Sequence, residues 1–269
     1  MINLSDLTIV IPFRYDTEDR IENLRNVIRY FNMYFRGHEF IIYEDGPIQY
    51  GSEFSTHSNV YYRFTENRDL LHRTKMLNDG AKQSNRAYVT LYDTDVVFRP
   101  EKIASTMELL RQGQSFVFPY NGVFLDISGE NKVKFLADLD FSLLPDVPPT
   151  NKLKDVVGKQ FSNSVTCSGV HYKSCGGATF FNRDVFLICG GYNEQFISWG
   201  FEDNEIVSRF VKLGHAPVRT QGNLFHLSHR RGLDSSTGHS KYTSNQALYM
   251  KVNSMSKIEL INYVNNVLK

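Results

Sequence analysis

Short apolar runs and amphipathic stretches alternate along the first half of the chain. Residues 7–11 form a β-branched apolar run that predicts a strand buried on both faces and ending at Pro12. Further strands are predicted at residues 40–43, 60–64 and 88–92. Apolar spacing predicts one helix that begins at Asp16 or Thr17 and a second that runs through Leu70, Leu71, Met76, Leu77 and Ala81. These repeated strand-helix units predict an α/β fold with a mostly parallel sheet flanked by helices.

The second half of the chain has a weaker periodicity. Helices are predicted at residues 100–110, 202–213, 242–252 and 256–268, and strands at residues 115–119 and 223–225. Residues 183–189 precede a turn predicted at Gly190-Gly191, which leads into the tryptophan segment. Residues 121–166 show no strong period, and Pro145, Pro148 and Pro149 favour a loop. A loop of that length inside a compact domain is typical of a substrate-binding lid, which we predict here.

The composition is that of an ordinary globular protein, since the 269 residues are 41% hydrophobic and 22% charged. There are 30 basic and 29 acidic residues, and the net charge of +1 argues against nucleic acid as a main partner. The N-terminus lacks a signal-peptide pattern, and no apolar run reaches the roughly 18 residues of a membrane span. We therefore expect a cytoplasmic protein without a transmembrane segment, and peripheral membrane association stays open.

The three cysteines are Cys167, Cys175 and Cys189. They are odd in number and lack Cys-x-x-Cys spacing, which indicates neither a disulfide framework nor a zinc knuckle. His171 lies midway between Cys167 and Cys175, so a metal site there is a weak alternative.

Polar residues follow three of the predicted strands. Arg14, Asp45 and the triplet Asp93-Thr94-Asp95 each come just past the end of an apolar run. Because parallel sheets bind their ligands beyond the carboxyl ends of the strands, these side chains predict a binding site at one edge of the sheet.

Two further groups of chemically active residues lie downstream. His226 and His229 are three residues apart, and the segment Ser198-Trp199-Gly200-Phe201-Glu202-Asp203-Asn204-Glu205 brings one tryptophan and three acids to the start of a predicted helix. Carboxylates and imidazoles can hold a divalent metal beside a diphosphate, and a further acid can activate a hydroxyl. The plainer interpretations are turn-forming aspartates, ordinary surface or core histidines, a core tryptophan, and acids that complement a helix dipole.

An ordered set of segments resembles the nucleotide-sugar glycosyltransferases of the GT-A fold, most closely the β-1,4-galactosyltransferase and chondroitin-synthase-like branch. The segments are Ile11-Pro12-Phe13-Arg14, His72-Arg73-Thr74-Lys75-Met76-Leu77-Asn78, Asp93-Thr94-Asp95, Gly176-Gly177, Gly190-Gly191-Tyr192-Asn193, Trp199-Gly200-Phe201-Glu202-Asp203 and His226-Leu227-Ser228-His229. The likeness spans residues 7–232, and the ordered set is specific although each segment alone is not.

The resemblance implies a single Rossmann-like GT-A domain over residues 1–269. Its parts would be a nucleotide-binding half at 1–120, an acceptor and catalytic half at 121–232, and C-terminal helices at 233–269. The implied reaction is an inverting, metal-dependent transfer of a sugar from a UDP-sugar to a hydroxyl of a glycan acceptor. The implied donor-binding residues are Pro12, Phe13, Arg14, Asp45, Arg73, Lys75, Asp93, Thr94 and Gly177.

The resemblance also assigns the catalytic and metal-binding roles. Asp203 stands at the position of the general base, Glu202 would orient the acceptor, and Trp199 would stack on it. Asp95 and His229 stand at metal-ligand positions, with His226 at a neighbouring one. One carboxylate and two imidazoles suit Mn²⁺ better than Mg²⁺, which is the alternative cofactor.

Three positions depart from the family pattern. Phe201 replaces a glycine and Asn204 replaces an acid, so we expect changed acceptor contacts. Ser174 stands where galactose-specific relatives carry a bulky aromatic residue, which leaves room for an N-acetyl group. UDP-galactose and UDP-N-acetylgalactosamine are therefore both expected as donors.

Two other functions remain as alternatives. A sugar-nucleotide nucleotidyltransferase also combines a βα sheet with paired aspartates, but it normally has a glycine-rich basic loop where this chain has Pro12-Phe13-Arg14-Tyr15-Asp16. A non-catalytic glycan-binding module could use Trp199 and the neighbouring acids without turnover.

Overall fold

The computed structural model describes residues 1–144, 174–232 and 236–269, together with the backbone of three short strands between 160 and 172. The strands are β1 (Ile2–Asn3), β2 (Leu7–Phe13), β3 (Phe35–Arg36), β4 (Glu39–Gly46), β5 (Val60–Glu66), β6 (Tyr88–Tyr92), β7 (Val96–Val97), β8 (Phe116–Phe118), β9 (Phe124–Ile127), β10 (Gln160–Phe161), β11 (Val165–Cys167), β12 (Val170–Tyr172), β13 (Ala178–Asn182), β14 (Val218–Arg219) and β15 (Leu224–Leu227). The helices are α1 (Glu18–Tyr34), α2 (Arg73–Gln83), α3 (Pro100–Arg111), α4 (Gly129–Asp138), α5 (Arg183–Ile188), α6 (Glu202–Leu213), α7 (Tyr242–Ser254) and α8 (Lys257–Tyr263), the last followed by a π-helical turn (Val264–Leu268).

A seven-stranded sheet in the order β14-β8-β13-β6-β2-β4-β5 forms the centre of the fold. β2 lies parallel to both β4 and β6, and β4 lies parallel to β5. β2 continues through Pro12 to Phe13, so the predicted end at Pro12 is one residue too early. A proline near the end of a strand costs only one ladder hydrogen bond, which explains why the strand tolerates it. The predicted α/β class with a mostly parallel sheet is confirmed.

Helix α2 lies directly on β2 and brings Arg73 to the edge of the sheet. A Cβ built on Gly80 would come within 2.3 Å of Val10 Cγ1, so only glycine permits this close approach. The helix begins at Arg73 rather than near Leu70 as predicted. Leu71 lies outside it because its carbonyl accepts a hydrogen bond from Ser198 N. This bond joins the segment to the turn at residues 198–201, which precedes α6 and is called the tryptophan turn below.

Strand β13 is an antiparallel insertion that the sequence did not predict. It lies between β6 and β8 and runs antiparallel to both. An alternation of strands and helices predicts parallel neighbours only. β13 follows the Gly176-Gly177 pair directly. The insertion matters for the site because it brings these glycines beside the carboxyl end of β6, where Asp93 N donates to Gly177 O at 2.8 Å.

A second sheet, in the order β10-β9-β15-β7, covers that end of the central sheet. β15 lies parallel to β9, with His226 opposite Asp126, and antiparallel to β7, with His226 opposite Val96. The predicted loop at 121–166 is therefore wrong over β9, α4, β10 and the start of β11. Helix α4 is ten residues long and buries only Phe135. The rest of the predicted lid, residues 145–166, lies largely outside the described residues.

The C-terminal helices pack along α6. Both α7 and α8 contact α6, and α8 begins with a capping box formed by Ser256 and Glu259. The predicted helix at 256–268 is thus a short α-helix that continues as a π-helical turn. Cys175 and Cys189 are buried and do not form a disulfide with each other, whereas the alternative metal site at Cys167 and His171 concerns side chains outside the described residues.

Candidate active site

Asp95, His226 and His229 form a group that could hold a metal ion, since their ligand atoms lie within 4.8 Å of one another. His229 Nε2 lies 3.0 Å from Asp95 Oδ2, and His226 Nε2 lies 3.8 Å from Asp95 Oδ1. The two histidines reach the aspartate because β15 pairs with β7, and Leu227 N donates to Asp95 O at 2.7 Å. A mixed set of one carboxylate and two imidazoles fits Mn²⁺.

The other ring nitrogen of each histidine has its own acceptor. His226 Nδ1 donates to Asp126 Oδ1 at 2.7 Å, and His229 Nδ1 donates to Arg230 O at 2.7 Å. These acceptors fix Nδ1 as a donor in both rings and leave both Nε2 atoms facing Asp95, which is the arrangement of histidines that bind metals. Asp126 escaped the sequence analysis because only the pairing of β9 with β15 brings it to His226.

The Asp95 carboxylate is held ionised by the charges around it. Burial raises its pKa, but His226, His229 and Arg20 lower it by more, and the net pKa is well below the ordinary value. A carboxylate that stays ionised supplies the negative charge a divalent cation needs.

Arg20 is a second site residue that the sequence analysis missed. Its Nη1 lies 3.2 Å from Thr94 Oγ1 and 3.6 Å from Asp95 Oδ2, and its Nε lies 3.1 Å from Asp16 Oδ1. The four-residue spacing between Asp16, just before α1, and Arg20, in its first turn, was the available signal. Arg20 places a fixed positive charge where a diphosphate could be bound.

Arg73 connects the metal-binding side of the site with the acids of α6. Its Nη2 donates to Asp93 Oδ1 at 2.7 Å, while its Nη1 lies 3.5 Å from Glu202 Oε1 and 3.6 Å from Asp203 Oδ1. One guanidinium therefore neutralises parts of three carboxylates that would otherwise repel one another.

Glu202 is buried and points back into its own turn. Its Oε2 accepts a hydrogen bond from Gly200 N at 2.8 Å. Burial and the neighbouring Asp203 raise its pKa to about 7, although Arg73 acts in the opposite direction. The hydrogen bond to Gly200 N and the burial of the side chain are consistent with a residue that stabilises the tryptophan turn.

Asp203 has two oxygens in different surroundings. Oδ1 accepts the hydroxyl of Tyr192 at 2.7 Å, whereas Oδ2 lies beside Gly176, where a built Cβ would come within 3.0 Å. Burial raises the pKa of Asp203 above its ordinary value, and Arg73 reduces that effect. A carboxylate with a raised pKa is a better proton acceptor than an exposed one.

These groups line one cavity of about 710 Å³. The predicted residues on its wall are Pro12, Arg14, Arg73, Asp93, Thr94, Asp95, Gly177, Trp199, Glu202, Asp203, His226 and His229, and Ser174 and Asn204 are there as well.

Three predicted donor-binding residues lie outside this lining. Phe13 is buried in the core against Phe54, because the strand alternation turns it away from the edge. Asp45 is paired with Arg14 and accepts from Asn67 Nδ2 at 3.0 Å. Lys75 lies on the outer face of α2 with its Nζ 2.8 Å from Asp79.

Trp199 lies at the rim of the cavity and is 38% exposed. Its ring stacks on Tyr242 of α7 with 6.0 Å between centroids and 11° between planes. The turn that presents it has positive φ at Ser198 (62°), Gly200 (115°) and Phe201 (70°). Tyr242 also lines the cavity, although it lies beyond the segments that carried the family resemblance.

Known proteins resemble this chain in sequence. Residues 161–230 match the family described as the N-terminal domain of galactosyltransferase. The chondroitin synthase of Escherichia coli is 27% identical over 152 residues, which cover 51% of this chain and 22% of that protein. This chain therefore matches only a minor part of that relative's length.

Solved structures share the fold. The catalytic domain of Drosophila β1,4-galactosyltransferase 7 with xylobiose has a TM-score of 0.54 at 14% identity, over 96% of this chain and 84% of that one. GalNAc-T7 with UDP, GalNAc and Mn²⁺ has a TM-score of 0.59 at 12% identity, over 91% of this chain and 47% of that one. A variant of the Drosophila enzyme with manganese, UDP-Gal and xylobiose has a TM-score of 0.50 at 13% identity, over 95% and 81% of the two chains.

The chain has the fold of the GT-A glycosyltransferases, and its cavity contains a group of side chains that could hold a metal ion. Within that class the chain is galactosyltransferase-like, as the family match and the chondroitin synthase relative show. Among the described residues, no helix combines the length and the apolar character needed to cross a membrane.

Proposed function

We propose that this protein transfers galactose or N-acetylgalactosamine from a UDP-sugar to a hydroxyl of a glycan acceptor, with inversion at the anomeric carbon. The observation that carries the proposal is the position of Arg73, which contacts Asp93 on the metal-binding side and Asp203 at the start of α6. This contact supports a metal-bound donor and a base in the same cavity.

Asp95, His226 and His229 would hold the metal, with Mn²⁺ preferred over Mg²⁺. When bound, the cation stabilises the negative charge that develops on the leaving diphosphate. Arg20 would add a second positive charge on the same side of the cavity, because its guanidinium lies against Thr94 and Asp95.

Asp203 would act as the general base. It accepts the proton of the acceptor hydroxyl while the hydroxyl oxygen forms a bond to the anomeric carbon. The bond from that carbon to the diphosphate oxygen breaks, and its electron pair leaves with UDP. A single displacement of this kind inverts the configuration. Burial of Asp203 and its raised pKa support this role.

Glu202 and Trp199 would serve the acceptor. The exposed indole offers an apolar face on which a sugar ring can stack, and Glu202 holds the turn that presents it through its bond to Gly200 N. The division into a nucleotide-binding half at 1–120 and an acceptor half at 121–232 is part of the same proposal.

The proposed donor sugars rest on Ser174. This residue lines the cavity with a small side chain, and its carbonyl accepts hydrogen bonds from Tyr120 and Arg219. Space beside the sugar would admit either a hydroxyl or an N-acetyl group at C2. The related structures are named with UDP-Gal in one case and with UDP and GalNAc in the other.

A panel of UDP-sugars, with Mn²⁺ and a mixture of glycan acceptors, tests the proposal. UDP-galactose or UDP-N-acetylgalactosamine should be consumed faster than UDP-glucose, and the reaction should stop in excess chelator. A faster reaction with UDP-glucose or a GDP-sugar would contradict the proposed donor. Pyrophosphate release from UTP and a sugar 1-phosphate would instead support the nucleotidyltransferase alternative, and glycan binding without turnover would support the binding-module alternative.

A further inference from the structure

Tyr192 is a fully buried residue whose hydroxyl donates a hydrogen bond to Asp203 Oδ1 at 2.7 Å. We propose that Tyr192 is a positioning residue, which holds Asp203 so that its Oδ2 faces the acceptor hydroxyl and accepts the proton. The inference rests on the proposed function, because it takes Asp203 as the base. Tyr192 itself touches no substrate in this role.

The backbone of Tyr192 is fixed by α2. Asn78 Nδ2 donates to Tyr192 O at 2.9 Å, and Asn78 Oδ1 accepts from Tyr192 N at 2.8 Å. The preceding Gly191 has φ of 60°, and a Cβ built on it would lie 2.4 Å from Asn78 Oδ1. The two hydrogen bonds with Asn78 therefore require glycine at position 191, and they leave the backbone of Tyr192 little freedom to move.

The same turn is tied to α6, the helix that carries Asp203. Arg209 is fully buried and pairs with Glu205, with its Nε 2.7 Å from Glu205 Oε1. Its guanidinium also donates to the carbonyls of Cys189 and Gly191. The Tyr192 turn is thus joined to α6 by the hydrogen bonds of Arg209, which Glu205 holds in place, and this contact maintains the distance from the hydroxyl to Asp203.

The surroundings of the two carboxylate oxygens support the choice of Oδ2. Oδ1 receives the Tyr192 hydroxyl and lies 3.6 Å from Arg73 Nη1. Oδ2 lies on the opposite side, next to Gly176, and both Gly176 and Asp203 line the cavity. Because Oδ1 is held in this way, rotation of the carboxylate is restricted. Oδ2 therefore stays directed at the part of the cavity where the acceptor would bind.

The charged and titratable groups around Asp203 are Arg73, Asp93, Tyr120, Tyr192 and Glu202. Arg73 and the Tyr192 hydroxyl favour the ionised carboxylate, whereas burial and Asp93 favour the protonated one. Removal of the Tyr192 hydroxyl therefore raises the pKa of Asp203 further. It also allows the Asp203 carboxylate to rotate.

The test is Tyr192→Phe, which removes one oxygen and keeps the ring. We expect the carboxyl of Asp203, followed by ¹³C NMR and assigned with Asp203→Asn, to titrate at a higher pH than in the wild type. The kcat for transfer at pH 7 should fall about 10-fold, the loss expected for one hydrogen bond to a charged group. The acid limb of the pH profile should move upward, and KM for the UDP-sugar should stay unchanged.

Tyr30→Phe is the matched control, because the buried Tyr30 hydroxyl donates to Phe98 O at 2.7 Å and lies outside the cavity lining. It should lose similar thermal stability with wild-type kinetics. In the double variant Tyr192→Phe/Asp203→Asn, the loss should not exceed that of Asp203→Asn alone.

A folded Tyr192→Phe protein with the wild-type Asp203 titration and wild-type kcat would overturn the inference. If that variant does not fold, Gly176→Ala tests the same geometry, because its methyl group would press on Asp203 Oδ2; unchanged kcat there would also overturn it. A wild type that turns over no UDP-sugar contradicts the proposed function, whereas an active wild type with an unaffected Tyr192→Phe variant contradicts this inference alone.

Discussion

His226 lies opposite Asp126 on parallel neighbouring strands, and its Nδ1 donates to the Asp126 carboxylate at 2.7 Å. The bond orients the imidazole so that Nε2 faces Asp95. A carboxylate in this position makes the ring nitrogen that binds the metal more basic and fixes its direction.

Asp126→Ala should therefore weaken Mn²⁺ binding by about 10- to 100-fold, the usual effect of removing such a partner. Titration calorimetry with Mn²⁺ measures this directly, and Asp138→Ala on the exposed end of α4 is the control. Equal Mn²⁺ affinities for the wild type and Asp126→Ala would show that the bond does not support the metal site.

Asp95 and Asp93 should differ in their effect on UDP binding. Asp95→Ala removes the only carboxylate of the proposed ligand group and should abolish the Mn²⁺-dependent part of UDP affinity. Asp93→Ala should weaken UDP binding less, because Asp93 pairs with Arg73 instead. Calorimetry with and without Mn²⁺ compares the two, and unchanged affinity in Asp95→Ala would exclude Asp95 as a ligand.

Asp203→Asn keeps the shape of the side chain and loses the proton acceptor. Transfer should fall by about 10²–10⁴-fold, the usual contribution of general-base catalysis, while UDP affinity and melting temperature stay close to wild type. If Asp203 served only the helix dipole, the variant would lose about 0.3–1 kcal/mol of stability and keep its turnover. Transfer within threefold of the wild type would remove Asp203 from the mechanism.

Glu202 should make the stability depend on pH. Its pKa is raised from 4.5 to about 7, mainly by burial and then by Asp203, so the folded state binds this proton more tightly than the unfolded chain. Its contribution is fully present below about pH 4.5 and is lost as the pH rises through about 7.

The neutral Glu202→Gln variant should therefore lose less stability than the wild type between pH 5 and pH 8. The expected difference is on the order of 2 kcal/mol. Urea unfolding of both proteins at the two pH values measures it, and titrating groups other than the neighbouring Asp203 cancel in the comparison. Parallel stability profiles would show that Glu202 ionises normally in the folded protein.

Trp199 and Tyr242 should contribute to binding of the acceptor and not to binding of the donor. Because the two stacked rings lie at the rim of the cavity, Trp199→Ala should raise KM for the acceptor by about 10-fold, and Tyr242→Ala by less. Hydrolysis of the donor in the absence of acceptor should not change. Met250→Ala, an exposed residue on the same helix as Tyr242, is the control. An unchanged acceptor KM in Trp199→Ala would argue for a purely structural indole.

Local patterns predicted most of the central sheet and its helices. The run at residues 88–92 and the helix at residues 202–213 have the predicted bounds, since each has a strong period and a clear end. α4 and β13 were missed for different reasons. α4 is a short helix that follows the loop signal of its surroundings and buries only Phe135, whereas β13 runs antiparallel in a region where strand-helix alternation predicts parallel neighbours.

By itself the sequence determined the chemical types at the site and their order along the chain. Asp95, His226, His229 and Asp203 were identified from spacing, strand ends and family resemblance. Only the tertiary structure decided which side chains meet. Asp126 reaches His226 across a strand pair, and Tyr192 reaches Asp203 through a turn clamped by Asn78 and Arg209. Such contacts join positions that share no local period, so they depend on strand pairing and buried hydrogen bonds that no stretch of sequence contains alone.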